Sequence, residues 1–265
     1  MGSRMGIEEP TTGAAGVQPL LEALPAGVAL SWGLSPSGSR GPKPGMSVPK
    51  IVEAAMSVAD EGGLSAVSMK SVADRLGFTA MSLYRYLKSK DDLLILMLDA
   101  GFGPVPERLA EAAGWRAKCR VWAWGIYDSV LHRPWLVDIP IGGAPMTYYQ
   151  MRWLEACLQA LAGTPLNGEQ KLHTALTLSS ISLANARLSR DIGQGPSAAD
   201  DAGARFEQAM TDLLPAGEFP QLLPLLRAGE FSADDSTATA HEHFEFALEL
   251  VLDGVAGRIE AAASR

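Results

Sequence analysis

Tyr84, Arg85, Tyr86, Lys88 and Lys90 crowd into one short stretch of the chain. Their hydroxyl, guanidinium and ammonium groups suit phosphate oxygens and base edges better than bond-making chemistry. Leu83 and Leu87, four apart, share one helix face and are expected inside. That leaves Ala80, Met81, Ser82, Tyr84, Arg85 and Tyr86 to project outward or sideways. Patterns for other chemistry are missing. His241 and His243 flank Glu242, but residues two apart point to different sides of a helix, so a two-histidine metal site is not expected. There is no H-E-x-x-H, G-x-S-x-G, P-loop or C-x-x-C. Gly142 and Gly143 precede Ala-Pro rather than a phosphate-cradling helix. No catalytic residue, metal or cofactor is expected.

The elements that must position this stretch read from Val67 to Lys90, VSMKSVADRLGFTAMSLYRYLKSK. Ser68 can cap a helix whose apolar positions Met69, Val72, Ala73 and Leu76 recur at helical spacing. Gly77 stands where that helix must stop and turn. Phe78 is expected to plug the turn from inside, and Thr79 to cap a second helix over residues 80–87. A helix-turn-helix fits this pattern. A helical hairpin in an enzyme or a ligand carrier fits the spacing too. A supporting helix is expected over 48–61, with Pro49 in its first turn and Gly62–Gly63 at its end. After the hairpin, Ser89 caps a helix over 90–102, with Asp91 and Asp92 suited to the dipole of its first turn. That helix starts at the hairpin and ends beyond it, as a lever would.

The segment from Ile51 to Leu98 resembles the DNA-binding domain of TetR-family transcriptional regulators. The resemblance is carried by IVEAA, by ADEGGLSAVSMKSVADRLGF and by MSLYRYLKSKDDLL. Its most specific features are the LG turn, the Leu83–Tyr84 pair and the K-x-K-D-x-L run of Lys88, Lys90, Asp91 and Leu93. The resemblance implies an all-α fold, with an N-terminal three-helix helix-turn-helix domain and a larger helical ligand-binding and dimerisation domain. It implies a homodimer, a palindromic double-stranded DNA operator and a small-molecule effector, with repression as the expected outcome. Candidate DNA contacts are Ser68, Met69, Lys70, Ala80, Met81, Ser82, Tyr84, Arg85, Tyr86 and Lys90. Two residues depart from the family: Tyr86 replaces a usual His, and Lys70 a frequent Arg, which forfeits the bidentate fork.

A net charge of −8 runs against DNA binding by the chain as a whole, so distribution matters more. Between Arg40 and Lys90, eight Lys/Arg oppose four acids, so the hairpin region is locally basic. The composition, 47% apolar and 20% charged, is that of a globular protein. No apolar run approaches the roughly 20 residues a membrane span needs, and no leader is visible, so a cytoplasmic location is expected. Cys119 and Cys157 both fall in expected helices and read as reduced thiols rather than a disulfide.

Three regions follow: 1–47 as a flexible or basic arm, 48–102 as the DNA-binding domain, and 103–265 as the regulatory domain. Within the first, Leu20 to Leu30 suggests a turn of helix and Trp32 an anchor. Arg40 and Lys43 sit in an extended Pro/Gly stretch that can follow a groove or simply solubilise the chain. The Gly103-Pro104-Val105-Pro106 break marks the second boundary. Beyond it, helical segments are expected near 107–112, 115–132, 134–138, 145–162, 168–192, 201–213, 218–228 and 237–262. Aromatic and sulphur-bearing residues concentrate between 115 and 157, which suits an adaptable pocket or a packed core. Candidate pocket residues are Trp122, Ile126, Tyr149 and Trp153, with His173 and Thr177 from the next long helix. Leu172, Leu176, Ser179, Leu183 and Ala186 form one stripe, and Phe244, Leu248, Val251, Val255 and Ile259 another. These stripes suit a four-helix dimer interface or intrachain core.

Overall fold

Pro25 precedes, and Trp32 closes, a short helix α1 (Ala26–Ser31) that the sequence only hints at. In this computed structural model the described residues are Pro19, 23–34, 45–140, 143, 146–193, 202–230 and 237–264. Arg40 and Lys43 lie outside them. No strand occurs among the described residues, as the all-α expectation requires. Among them, too, no helix is long and apolar enough to cross a membrane. Backbone proximity divides the chain into two compact units, Met1–Gly163 and Thr164–Arg265.

In the first unit, α2 (Val48–Gly62) carries Pro49 in its first turn, where no helical hydrogen bond is forfeited, and Gly63 at φ 72° ends it. A 3₁₀ turn at Leu64–Ala66 leads to α3 (Met69–Leu76), α4 (Ala80–Leu83) and α5 (Lys90–Phe102). Ile51, Ala55, Val72, Ala73, Leu83, Leu87, Leu93 and Met97 are all buried and form the core these helices share. Burying each large aliphatic side chain contributes about 1.5–3 kcal/mol, which fixes where the hairpin sits. The unit continues through α6 (Arg108–Glu111), α7 (Gly114–His132), a 3₁₀ turn at Pro134–Asp138, and α8 (Tyr148–Ala160).

Helix α1 is docked, so residues 23–34 are not a free arm. The Gly27 amide donates to Asp92 Oδ1 at 2.8 Å. A Cβ at Gly27 would lie 2.9 Å from the Asp92 backbone, so only glycine permits this approach. The Trp32 indole N–H donates to the Met146 carbonyl at 2.7 Å, and its ring meets Tyr148 edge-on with centroids 5.4 Å apart. The Tyr148 amide donates to Ser31 Oγ at 3.3 Å. Helix α1 thereby bridges the start of α5 to the start of α8.

In the second unit, α9 (Gly168–Gly193) and α12 (Thr237–Ala263) are the long helices and pack on one another. The shorter α10 (Ala202–Leu213) and α11 (Leu222–Arg227) accompany them. Ala175, Leu178, Ser182 and Ala186 of α9, and Phe244, Leu248, Leu252 and Val255 of α12, are buried. Much of the α12 stripe expected for dimerisation is therefore core within the chain. Exposed large apolar residues on the two long helices include Leu172 and Leu176 of the expected α9 stripe, Leu188 and Ile192 further along α9, and Phe246 and Leu250 on α12.

Candidate nucleic-acid interface

The hairpin is built by local hydrogen bonds that its sequence supplies. Ser68 Oγ accepts from the Ser71 amide at 3.0 Å, and Ser71 Oγ accepts from the Ser68 amide at 2.9 Å, a reciprocal cap on α3. At the other end Gly77 takes the left-handed conformation, φ 74° and ψ 29°. The Phe78 amide then reaches back to the Ala73 carbonyl at 2.9 Å. Arg75 forks onto Glu61, clamping the end of α3 to the end of α2. The two are exposed; their mutual hydrogen bond lowers the Glu61 carboxyl and raises the Arg75 guanidinium from their ordinary values.

Helix α4 is shorter than its sequence suggests. Regular helix covers only Ala80–Leu83, and residues 84–86 form a turn in which the Tyr86 and Leu87 amides both reach the Leu83 carbonyl, at 2.8 and 3.0 Å. Leu83 and Leu87, still four apart on one side, are each almost wholly buried. Thr79 does not cap α4 with its side chain; its hydroxyl lies 3.1 Å from that of Ser82. Phe78, expected inside the turn, is 42% exposed.

The candidate contacts divide by exposure. Lys70, Arg85 and Lys90 are exposed, as is Lys88, and among the described residues none of the four makes an ion pair. Met81 is 75% and Tyr84 47% exposed. Ala80, Ser82 and Tyr86 are half-buried. Met69, expected among the contacts, instead has its side chain packed in the core. Ser68 is exposed, but its hydroxyl is engaged in the cap.

Helix α5 leaves this surface at Lys90 and is tied down along its length. The Asp92 amide donates to Ser89 Oγ at 3.1 Å, the expected cap. Asp92 itself is buried against Gly27, a role that a first-turn acid does not announce. One face further on, Asp99 Oδ1 accepts the Tyr149 amide at 2.8 Å and so satisfies an orphan donor at the start of α8. At the end of α5 the Gly103 carbonyl accepts the Trp153 indole N–H at 2.9 Å. The Trp153 carbonyl in turn accepts the Trp122 indole N–H at 2.7 Å. Asp60 near the end of α2 accepts from the Trp135 indole at 2.6 Å.

Burial raises the Asp99 carboxyl above its ordinary range, more than hydrogen bonds from Thr147, Tyr149 and Gln150 lower it. A raised carboxyl means that folding takes up a proton between the unfolded and folded pKa values. Its contribution to stability is greatest below the unfolded pKa and is lost as pH rises through the folded one. Asp99→Asn keeps an oxygen for the Tyr149 amide and removes the titration. The urea midpoint of D99N relative to the parent is expected to climb as pH rises above the ordinary carboxylate pKa of about 4. Parallel midpoint curves would reject the assignment.

Among the pocket candidates, Trp122, Ile126 and Trp153 are buried and Tyr149 is half-buried, all in the first unit. Trp122 and Trp153 already spend their only polar group on backbone carbonyls, so what they offer a ligand is apolar surface. His173 and Thr177 belong to the second unit, where both are exposed on α9. The Thr177 hydroxyl turns back to the His173 carbonyl at 2.8 Å. Cys119 and Cys157 are both buried and free. Their mutual hydrogen bond, with burial, pushes the Cys157 thiol up.

Comparison with known proteins agrees with this geometry. Residues 51–97 match the model for bacterial regulatory proteins of the tetR family, and residues 106–259 the tetracyclin repressor-like C-terminal domain. The chain is 29% identical to the HTH-type transcriptional repressor DrrR1 of Streptomyces coeruleorubidus, over 95% of this chain and 90% of that one. The fold is similar to ActR of Streptomyces coelicolor solved with actinorhodin, at 25% identity and a TM-score of 0.67, covering 82% of this chain and 98% of that one. Apo ActR gives a TM-score of 0.62 at 25% identity, over 79% and 96% of the two chains. A basic helical hairpin with an exposed second helix, joined to a larger helical body matched over most of its length, makes this chain a member of the TetR family of transcriptional regulators.

Proposed function

We propose that this chain is a dimeric, cytoplasmic repressor that holds a palindromic operator through α4 and releases it when a small apolar or aromatic molecule binds. The observation that carries the reading is the outward face of α4 and its flanks. Met81, Tyr84 and Arg85 stand exposed, with Lys70 and Lys90 exposed beside them, on a hairpin anchored by buried Leu83 and Leu87. Such a face suits a major groove, with the cations on phosphate. The repressor DrrR1 and the actinorhodin complex of ActR support the repressing, ligand-responsive half of the reading.

The lever is α5, 13 residues and about 20 Å long. Its first turn adjoins the hairpin, while Asp99 and Gly103 are bonded to the Tyr149 amide and the Trp153 indole of α8. A ligand that favours a displaced α8 would therefore carry α5, and with it the spacing of two recognition helices, away from successive grooves. The aromatic surface of α7 and α8 around Ile126, Tyr149 and Trp153 is the proposed receiving site.

The exposed apolar residues of α9 and α12 support a dimer. Gly254 and Gly257 lie along α12 beyond Phe246 and Leu250, with nothing within 4 Å of where a Cβ would be. Two glycines inside a helix each cost about 1 kcal/mol relative to alanine, which close approach of a second subunit would offset.

The test is a gel shift with DNA from upstream of the gene. Arg85→Ala and Lys90→Ala should each reduce the salt slope by about one for every phosphate left without its cation, hence about two per dimer. Their thermal midpoints should stay at the parental value, since both residues are exposed. Unchanged salt slopes in both variants would remove α4 and the start of α5 from the DNA. A carrier or enzyme with an incidental hairpin would bind no duplex at all.

A further inference from the structure

We infer that α4 reads thymine through its 5-methyl group, with Met81 as the residue that touches it. The inference rests on the DNA-binding reading proposed above. Residues 79–83 contain no carboxamide, carboxylate, ammonium or guanidinium group. The groups that pair bidentately with guanine or adenine are therefore absent from the helix that would enter the groove. The two hydroxyls present, on Thr79 and Ser82, lie 3.1 Å apart and partner one another.

What α4 does present is apolar. Met81, at 75% exposed, is the most exposed large hydrophobic side chain among the described residues, and Phe78 and Tyr84 flank it. All three stay open to solvent in the folded chain. Of the chemical groups that line a major groove, the C5-methyl of thymine is the apolar one. Met81 is unbranched and polarizable, so it can fit a methyl without a fixed rotamer. Exposed Lys70, Arg85 and Lys90 accompany the patch as phosphate-seeking cations. An exposed apolar residue on a hairpin that also carries exposed cations is the surface expected for a thymine-bearing groove.

The experiment selects duplexes from a randomised pool with the full-length protein. It then replaces each thymine of the selected half-sites by deoxyuridine, which deletes the methyl and keeps the pairing. Burying one methyl corresponds to about four-fold in affinity, so substitution at the contacted thymine should weaken binding about four-fold. Substitution in both half-sites should weaken it about fifteen-fold. Met81→Ala should bind the thymine duplex more weakly and lose most of the thymine–deoxyuridine difference. Tight binding of the selected duplex with no deoxyuridine effect at any position would overturn the inference and leave the DNA-binding reading standing. A deoxyuridine effect that persists undiminished in M81A would overturn the assignment to Met81. Failure to select any duplex would remove the DNA-binding reading and this inference with it.

Discussion

Trp153→Ala is expected to destabilise the protein by about 3–5 kcal/mol, read as the urea unfolding midpoint at constant slope. The side chain is 5% exposed and meets Trp122 edge-on, with ring centroids 6.0 Å apart. Its far edge lies over Gly125, where a Cβ would come within 2.7 Å of the ring. Truncation leaves a cavity that neither neighbour can fill, and it strands the Gly103 carbonyl at the end of α5. Trp153→Phe separates the two effects. It keeps most of the apolar surface and loses the N–H, so it should cost about 1–3 kcal/mol for the unmet carbonyl. If Gly103 is the point at which α8 grips the lever, W153F should also blunt operator release by effector more than it weakens operator binding. A parental midpoint in W153F would show that the bond to Gly103 holds nothing.

Phe246→Glu and Leu250→Glu are expected to give folded monomers that no longer hold a full operator. Both side chains point away from the α9 packing, 70% and 59% exposed, so charge there should leave the chain's own core intact. In a dimer formed through this face the new carboxylates would be buried without partners, at a cost of several kcal/mol per interface. Light scattering should report the monomer mass while circular dichroism stays helical. Gel shifts should show at least a roughly hundred-fold weaker affinity for the two-half-site operator, because each half-site then binds alone. A dimer that survives both substitutions would move the interface away from this face of α12. Phe244→Glu would be no test, since Phe244 is buried within the chain.

Much of the helical framework is legible in the sequence because it depends on near neighbours. Ser68, Gly77, Ser89 and Pro49 act within a turn or two of where they stand, and each does what its position predicts. The spacing of Leu83 and Leu87 likewise announces which side of the hairpin is buried. Pattern and structure part where local preference and packing compete. An eight-residue α4 is the natural reading of 80–87, yet regular helix ends at Leu83 and the Tyr86 amide makes a tighter, three-residue bond back to the Leu83 carbonyl. Phe78 reads as a core residue by type, but the fold leaves it exposed. The α12 stripe is apolar as expected, but periodicity cannot say whether its partner is α9 or a second subunit.

The sequence by itself determined a helical protein with a capped, glycine-turned, basic hairpin and a lever leaving it, since caps, turns and amphipathic periods are short-range. Only the tertiary structure decided what the lever is fastened to. Asp92 on the Gly27 amide and Asp99 on the Tyr149 amide join residues 65 and 50 positions apart, as does Trp153 on Gly103 across 50. Nothing in an aspartate's neighbours along the chain reveals which distant amide it will satisfy. That choice is made when burial removes water and leaves each polar group only the partners that packing has brought within reach.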